Sequence, residues 1–358
     1  MLSYFFVTVN IIFLNVEKFF LKCYNTIKSN GGVIVAIKTK IELINEADFI
    51  STMQTVIEPY LEERRTQGFF NGFDGKKLYY ENYVTLDAKG SIVIVHGFTE
   101  FCEKYREMVY YYIQMGYSVF TFDNRGHGNS HRDMKVFEYT HIESFSDYVE
   151  DLNCFVKDIV VPQSGNTPLY LYSHSMGGAI AVQYLQTYPE VFGKAVLSSP
   201  MIMPITKGLP IGVASAVSTV LCKLGFGNML LGRSEFNKDR TFEDSSDTSR
   251  ERFTYAHTKR CNDRHFQNTS PTANWVNQAA AVSFRNLDKD RNKNIKADIL
   301  LFQAEDDRLV MNDKQDEFVV MVPTAKMIKT EKTKHEIYMS TNDVMEKYLD
   351  AIAEFFGD

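Results

Sequence analysis

The chain has 358 residues, 44% of them hydrophobic and 23% charged, a balance that supports a substantial buried core and excludes a disordered or membrane-spanning chain. Its formal net charge of -6, with no clustered run of Lys and Arg, argues against a nucleic-acid partner. The five cysteines, Cys23, Cys102, Cys154, Cys222 and Cys261, are odd in number and never spaced C-x-x-C, which points to buried thiols in a reducing, cytoplasmic setting.

Residues 1–44 read as an N-terminal extension. Met1 to Val16 is apolar but broken by Asn10 and Asn15. It is too short to span a bilayer, and it lacks the basic start and small-residue cleavage site of a secretion signal. An unpacked extension from an upstream start codon, a shallow anchor at a membrane surface and a cleaved signal all remain open. From Asn45 a helix is expected, with Phe49, Met53, Ile57, Tyr60 and Leu61 on the face that lies on a sheet. Two antiparallel strands follow, Gly68 to Phe73 and Lys77 to Val84, joined by the turn dipeptide Asp74-Gly75.

Short apolar runs then alternate with helical patterns: Ile92 to Val95, Val119 to Phe122, Leu169 to Tyr172, Ala195 to Leu197, Ile299 to Phe302 and Met327 to Ile328. That rhythm predicts an α/β fold, a mostly parallel doubly wound sheet covered on both faces. Phe145, Tyr148, Leu152, Phe155 and Ile159 keep a helical period, as do Val344, Tyr348, Ile352 and Phe355 behind an Asp343/Glu346 capping pair. The rhythm breaks over 204–294, where one apolar helix, Ile211 to Leu224, precedes a polar stretch. Residues 45–203 and 295–358 therefore read as the core, and 204–294 as a helical cap inserted at the carboxyl ends of the strands, where ligands bind.

The chemistry concentrates where the strand Leu169 to Tyr172 runs into Ser173-His174-Ser175-Met176-Gly177-Gly178. A serine on a sharp strand-to-helix turn needs small neighbours so that strand and helix can approach, and Gly177 and Gly178 meet that need. Ser173 stands where such turns commonly carry a first glycine, so a slightly crowded elbow is expected. Serine needs a base to take its proton and an acid to orient that base. Downstream, Glu305-Asp306-Asp307-Arg308 follows a strand and Lys334-His335-Glu336 precedes the last helix. The order Ser175, Asp307, His335 is that of a nucleophile, acid and base on this type of sheet, with Asp306 as the competing acid. The amides of Phe98 and Met176 are the candidate oxyanion donors. Asp123-Asn124-Arg125-Gly126-His127-Gly128 lacks the third glycine of a dinucleotide loop and reads as a braced turn. Neither a metal nor a cofactor is implied, and the Asn268-Thr269-Ser270 sequon is taken as fortuitous.

On His96-Gly97-Phe98-Thr99-Glu100, Asp123 to Gly128, His174 to Gly178, Gln303 to Val310 and His335-Glu336, the chain resembles the lysophospholipase L2 and monoacylglycerol lipase group of α/β-hydrolases, the serine aminopeptidase S33 or hydrolase-4 set. The likeness runs from about Glu46 to the C-terminus. It implies the α/β-hydrolase fold with a helical cap, Asp307 rather than Asp306 as the acid, and a lipid ester of one acyl chain as substrate, with peripheral membrane contact. Ile211, Val213, Val217, Val220 and Leu221 are candidate acyl-channel residues, and Trp275 a candidate wall. A short-chain esterase, thioesterase or peptidase with the same triad, and a catalytically silent binding protein on the same fold, are the alternatives.

Overall fold

The apolar runs become an eight-stranded sheet in the computed structural model, which describes residues 41–357 except 207, 233 and 234. Most of the N-terminal extension, with Cys23, lies outside the described residues. In chain order the strands are β1 (Arg65–Asn71), β2 (Lys77–Tyr83), β3 (Ser91–Val95), β4 (Ser118–Phe122), β5 (Leu169–His174), β6 (Lys194–Ser198), β7 (Asp298–Asp306) and β8 (Ala325–Lys334). Their spatial order is β1-β2-β4-β3-β5-β6-β7-β8. β1 and β2 form the expected hairpin, closed by Gly75 at φ 81°. β2 is antiparallel to β4, and the remaining pairs are parallel.

Because side chains alternate along a strand, Val93, Val95 and Leu171 enter one core and Ile92, Ile94 and Tyr172 the other. The first core is completed by the helices Phe145–Phe155 and Met176–Thr187, the second by Arg106–Gln114 and Asn342–Gly357. Burial on both sides explains why β3 to β6 read as continuous apolar runs instead of alternating ones. After β3 the chain first steps to one side, into β4, and then crosses back to β5 on the other. The carboxyl ends of β3 and β5 therefore flank the crevice where order reverses, the place such sheets offer to ligands.

Some elements differ from expectation. Phe49, Met53, Ile57 and Leu61 are buried as the pattern requires, but they pack largely on other helices, with Phe49 edge-on to Tyr255 at 6.0 Å between centroids. The last helix begins at Asn342, so Asp343 lies inside its first turn and does not precede it. Asn268 of the sequon is buried, its amide donating to Gly126 O and Thr140 Oγ1, each at 2.8 Å. No described helix is long and apolar enough to cross a membrane.

The stretch 204–294 holds three substantial helices where one was expected: Ile211–Lys223, Arg250–Asn262 and Ala273–Asn286. Arg250–Asn262 escaped notice because its inward face carries an arginine. Arg252 is fully buried, and it donates to Glu107 Oε1 at 2.6 Å and Oε2 at 2.9 Å, to Ser340 O at 2.8 Å and to Asn342 Oδ1 at 2.9 Å. So many acceptors offset much of the cost of burying a guanidinium, and removing it strands Glu107. Arg252→Met is expected to lower the unfolding free energy by about 3 kcal/mol in urea titrations; an unchanged midpoint and slope would contradict this role for Arg252.

Candidate active site

Ser175 lies between β5 and the helix Met176–Thr187, at φ 52° and ψ -117°. A β-carbon on Gly177 would stand 2.1 Å from Val95 O, and one on Gly178 would stand 2.5 Å from Pro200 Cβ, so strand and helix approach as closely as glycine allows. Ser173, by contrast, is fully buried within the sheet, its hydroxyl 3.4 Å from Val196 O. The crowding expected there falls instead at Gly177.

Three of the residues singled out in sequence converge. Ser175 Oγ is 2.8 Å from His335 Nε2, and His335 Nδ1 is 2.7 Å from Asp307 Oδ2. A carboxylate only accepts, so Nδ1 carries the proton and Nε2 is left to accept from the serine hydroxyl. Asp307 Oδ1 takes the Leu309 and Val310 amides at 2.9 and 3.0 Å. Burial pushes its carboxyl upward, but His335 and those amides outweigh burial and hold it below the ordinary aspartate range. Asp306 faces away, half exposed and forked onto the solvent-facing Arg308.

Met176 is the first residue of its helix, so its N–H has no acceptor within the helix. Gly97 sits against Ser175 from the β3 side: a β-carbon there would lie 3.1 Å from Ser175 Cβ. That places the Phe98 turn beside Ser175, and the Phe98 ring meets Trp275 at 4.4 Å between centroids. His96 is buried, accepting the Asn124 amide at Nε2 (2.9 Å) and donating from Nδ1 to Gly97 O (2.8 Å), a bracing part and not a reacting one. Arg125 is likewise structural, clamped between Asp151 and Asp74. Such an arrangement can deprotonate a serine hydroxyl as it attacks a carbonyl.

A cavity of about 820 Å³ adjoins this site through Thr99 and Trp275, with Ile211, Val217 and Val276 on its apolar walls. Ser175 itself is not on its wall. Of the cap residues expected to line a channel, Ile211 and Val217 do so. Val213 and Val220 point outward, 45% and 55% exposed, because a helix with apolar residues on several faces must leave one of them in solvent unless a partner covers it.

Residues 87–342 match the family model described as Hydrolase_4, serine aminopeptidase, S33. The chain belongs to this family. It is 26% identical to the probable lysophospholipase L2 of Haemophilus influenzae over 88% of this chain and 99% of that protein. Lysophospholipase L2 of Escherichia coli K12 is 25% identical over 82% and 88% respectively. A solved structure of a soluble variant of Saccharomyces cerevisiae monoglyceride lipase superposes with a TM-score of 0.64 at 18% identity, covering 82% of this chain and 96% of that one. The fold is that of the α/β-hydrolases.

Beneath the elbow of this Hydrolase_4 chain lies a polar cluster that sequence reading passed over. Buried Glu100 accepts from Gly97 N (2.5 Å), Tyr105 OH (2.6 Å), Tyr338 OH (2.7 Å) and Lys104 Nζ (3.0 Å). His174, which precedes Ser175, has Nδ1 3.1 Å from Glu100 Oε2 and Nε2 3.3 Å from His335 O. Both partners are acceptors, so both ring nitrogens donate and the ring is an imidazolium. Burial opposes that charge, but Glu100 overrides it and raises the His174 pKa. Lys104 also pairs with Glu336, and Glu336 hydrogen-bonds Asp247 from the inserted segment. Glu100, His174 and Glu336, each within two residues of a site residue, offered a signal in sequence; the pairings of Glu100 with His174 and Tyr338 and of Lys104 with Glu336 are long-range.

Burial, and then the charge of Glu336, raise the Asp247 carboxyl well above its ordinary 3.8. A carboxyl whose folded pKa is raised supports the fold below 3.8 and loses that support as pH climbs toward the raised value. Asp247→Asn has no proton to surrender. It is expected to match the wild type near pH 4 and to exceed it by about 1 kcal/mol or more at neutral pH, read as paired denaturation curves; parallel pH profiles would contradict a shared proton.

Proposed function

We propose that this chain is a serine esterase that cleaves the carboxylic ester of single-chain lipids, lysophospholipids or monoacylglycerols, through an acyl-enzyme on Ser175. The observation that carries this reading is the unbroken hydrogen-bond chain from Asp307 through His335 to Ser175. Ser175 Oγ attacks the ester carbonyl as its proton passes to His335 Nε2, and Asp307 stabilises the imidazolium that forms. The Phe98 and Met176 amides donate to the oxyanion of the tetrahedral intermediate. His335 then returns the proton to the departing glycerol oxygen, and water repeats the sequence to release the fatty acid.

Preference for a lipid rests on the apolar cavity next to the site and on family relatives named lysophospholipase and monoacylglycerol lipase. Val213, Val217, Val220, Leu224 and Phe226 stand between 45% and 66% exposed on or beside the helix Ile211–Lys223. Contiguous apolar exposure of this kind suits peripheral contact with a lipid surface from which the substrate is drawn.

Ser175→Ala is expected to abolish ester hydrolysis. Asp307→Asn should lower kcat about 10³- to 10⁴-fold, whereas Asp306→Asn, which breaks an exposed pair, should change it less than about twofold. A larger loss at Asp306 than at Asp307 would refute the choice of acid. In a series of nitrophenyl esters, kcat/KM is expected to rise from acetyl to long acyl chains; an acetyl optimum would favour a short-chain esterase and remove the lipid assignment.

A further inference from the structure

The same cavity has a polar end. Arg240 and Arg260 both line it, together with Asn237, Asn268 and Ser270. Arg260 is held in place from behind: Nε donates to Phe266 O at 2.9 Å, Nη2 donates to Asn268 O at 2.6 Å, and the guanidinium carbon lies 4.8 Å from the centre of the Phe236 ring. Arg240 donates to Asp244 O at 3.1 Å. Every one of these acceptors is a neutral carbonyl or a ring. Among the described residues neither guanidinium is ion-paired with a carboxylate, unlike Arg125, Arg252 and Lys104; Arg132, which likewise has only neutral acceptors, is not on the cavity wall. Glu235, the one carboxylate on the wall, is exposed.

Two like charges facing one partly desolvated space destabilise each other. Burial first, and Arg240 second, bring Arg260 down to about 10. Glu336 and Glu100 act on Arg260 in the opposite sense, but both are already committed to Lys104. The cavity that Arg240 and Arg260 line also has Thr99, next to Phe98, and Trp275 on its wall.

We propose that Arg240 and Arg260 form a phosphate-recognition subsite, which receives the phosphate of a lysophospholipid head group while the ester is presented to Ser175. A planar guanidinium matches phosphate oxygens two at a time, and a second one alongside neutralises the remaining charge. The Phe266 and Asn268 carbonyls fix the orientation of Arg260 before ligand arrives, which limits the entropy lost on binding. A neutral monoacylglycerol offers this pair hydroxyl acceptors but no negative charge. The inference rests on the reading of Ser175 as an ester-cleaving nucleophile and narrows its substrate class to esters that also bear a phosphate.

The test uses the full chain and two substrates with one oleoyl chain in common, lysophosphatidic acid and monooleoylglycerol. Arg240→Gln is expected to lower the ratio of kcat/KM for the phosphate ester over the neutral ester by about tenfold, as for loss of a hydrogen bond to a charged group. Arg260→Gln should do the same, and Arg260→Lys should recover part of the ratio; since Arg260 also braces its loop, Arg240, which donates to Asp244 O within its own turn, keeps the test decisive if that variant misfolds. An unchanged ratio, or equal losses on both substrates, overturns the subsite. Glycerol phosphate should inhibit nitrophenyl butyrate turnover by the wild type competitively and lose that effect in Arg240→Gln. If inorganic phosphate inhibits equally well while the substrate ratio does not move, the site holds free phosphate and the head-group assignment fails. If nitrophenyl butyrate is not turned over at all, the Ser175 reading fails, and calorimetric titration with glycerol phosphate decides the subsite separately.

Discussion

The backbone of Ser175 is the constraint on which the site depends. A non-glycine residue at φ 52° stores on the order of 1–3 kcal/mol of strain, and the surroundings must hold it there. Its amide donates to Ser198 O at 3.1 Å, and its carbonyl accepts from Gly178, Ala179 and Met201 at 2.8 to 3.3 Å. The helix that follows is seated on Val95 O through Gly177 and on Pro200 through Gly178. With strand, helix and neighbouring loops locked together, the hydroxyl of Ser175 is left pointing at His335, and the imidazole needs no search to find it.

The same economy extends to the charges below. Glu100 and His174, then Lys104 and Glu336, alternate in sign from the turn after β3 to the loop bearing His335. Each ionised group has a counter-charge within hydrogen-bond reach, which is what makes burial of several charges tolerable. The cluster ties the Phe98 turn to the His335 loop, so the proposed oxyanion donor and the proposed base share one rigid foundation. Asp247 extends it into the inserted segment, and Arg252 anchors that segment again at Glu107. Among the described residues Arg240 and Arg260, like Arg132, have only neutral hydrogen-bond acceptors, but they alone of the three share the wall of one cavity.

Much of this was readable from sequence because it is periodic or local. Continuous apolar runs become β3 to β7, and Ser175, Asp307 and His335 sit at strand ends in the order the chain visits them. The elbow announces itself through Gly177 and Gly178. Asp306 and Asp307 were distinguished by resemblance alone, since adjacent carboxylates look alike until the turn directs one to His335 and the other to Arg308. What sequence could not display was pairing across distance. Arg252 meets Glu107 from 145 residues away, and Glu100 meets Tyr338 from 238 away, with no periodicity to mark either. The helix Arg250–Asn262 was hidden for a related reason: its buried face mixes Phe253, Tyr255 and Ala256 with the charged Arg252, so no clean apolar stripe marks it.

In the proposed reaction Ser175 Oγ attacks the ester carbonyl. A fluorophosphonate reacts covalently only with an activated serine, so peptide mapping of the labelled wild-type protein locates the nucleophile directly. The account predicts one adduct, on the peptide containing Ser175, that disappears in His335→Ala. An adduct on another residue, or labelling that persists at full rate without His335, would contradict it.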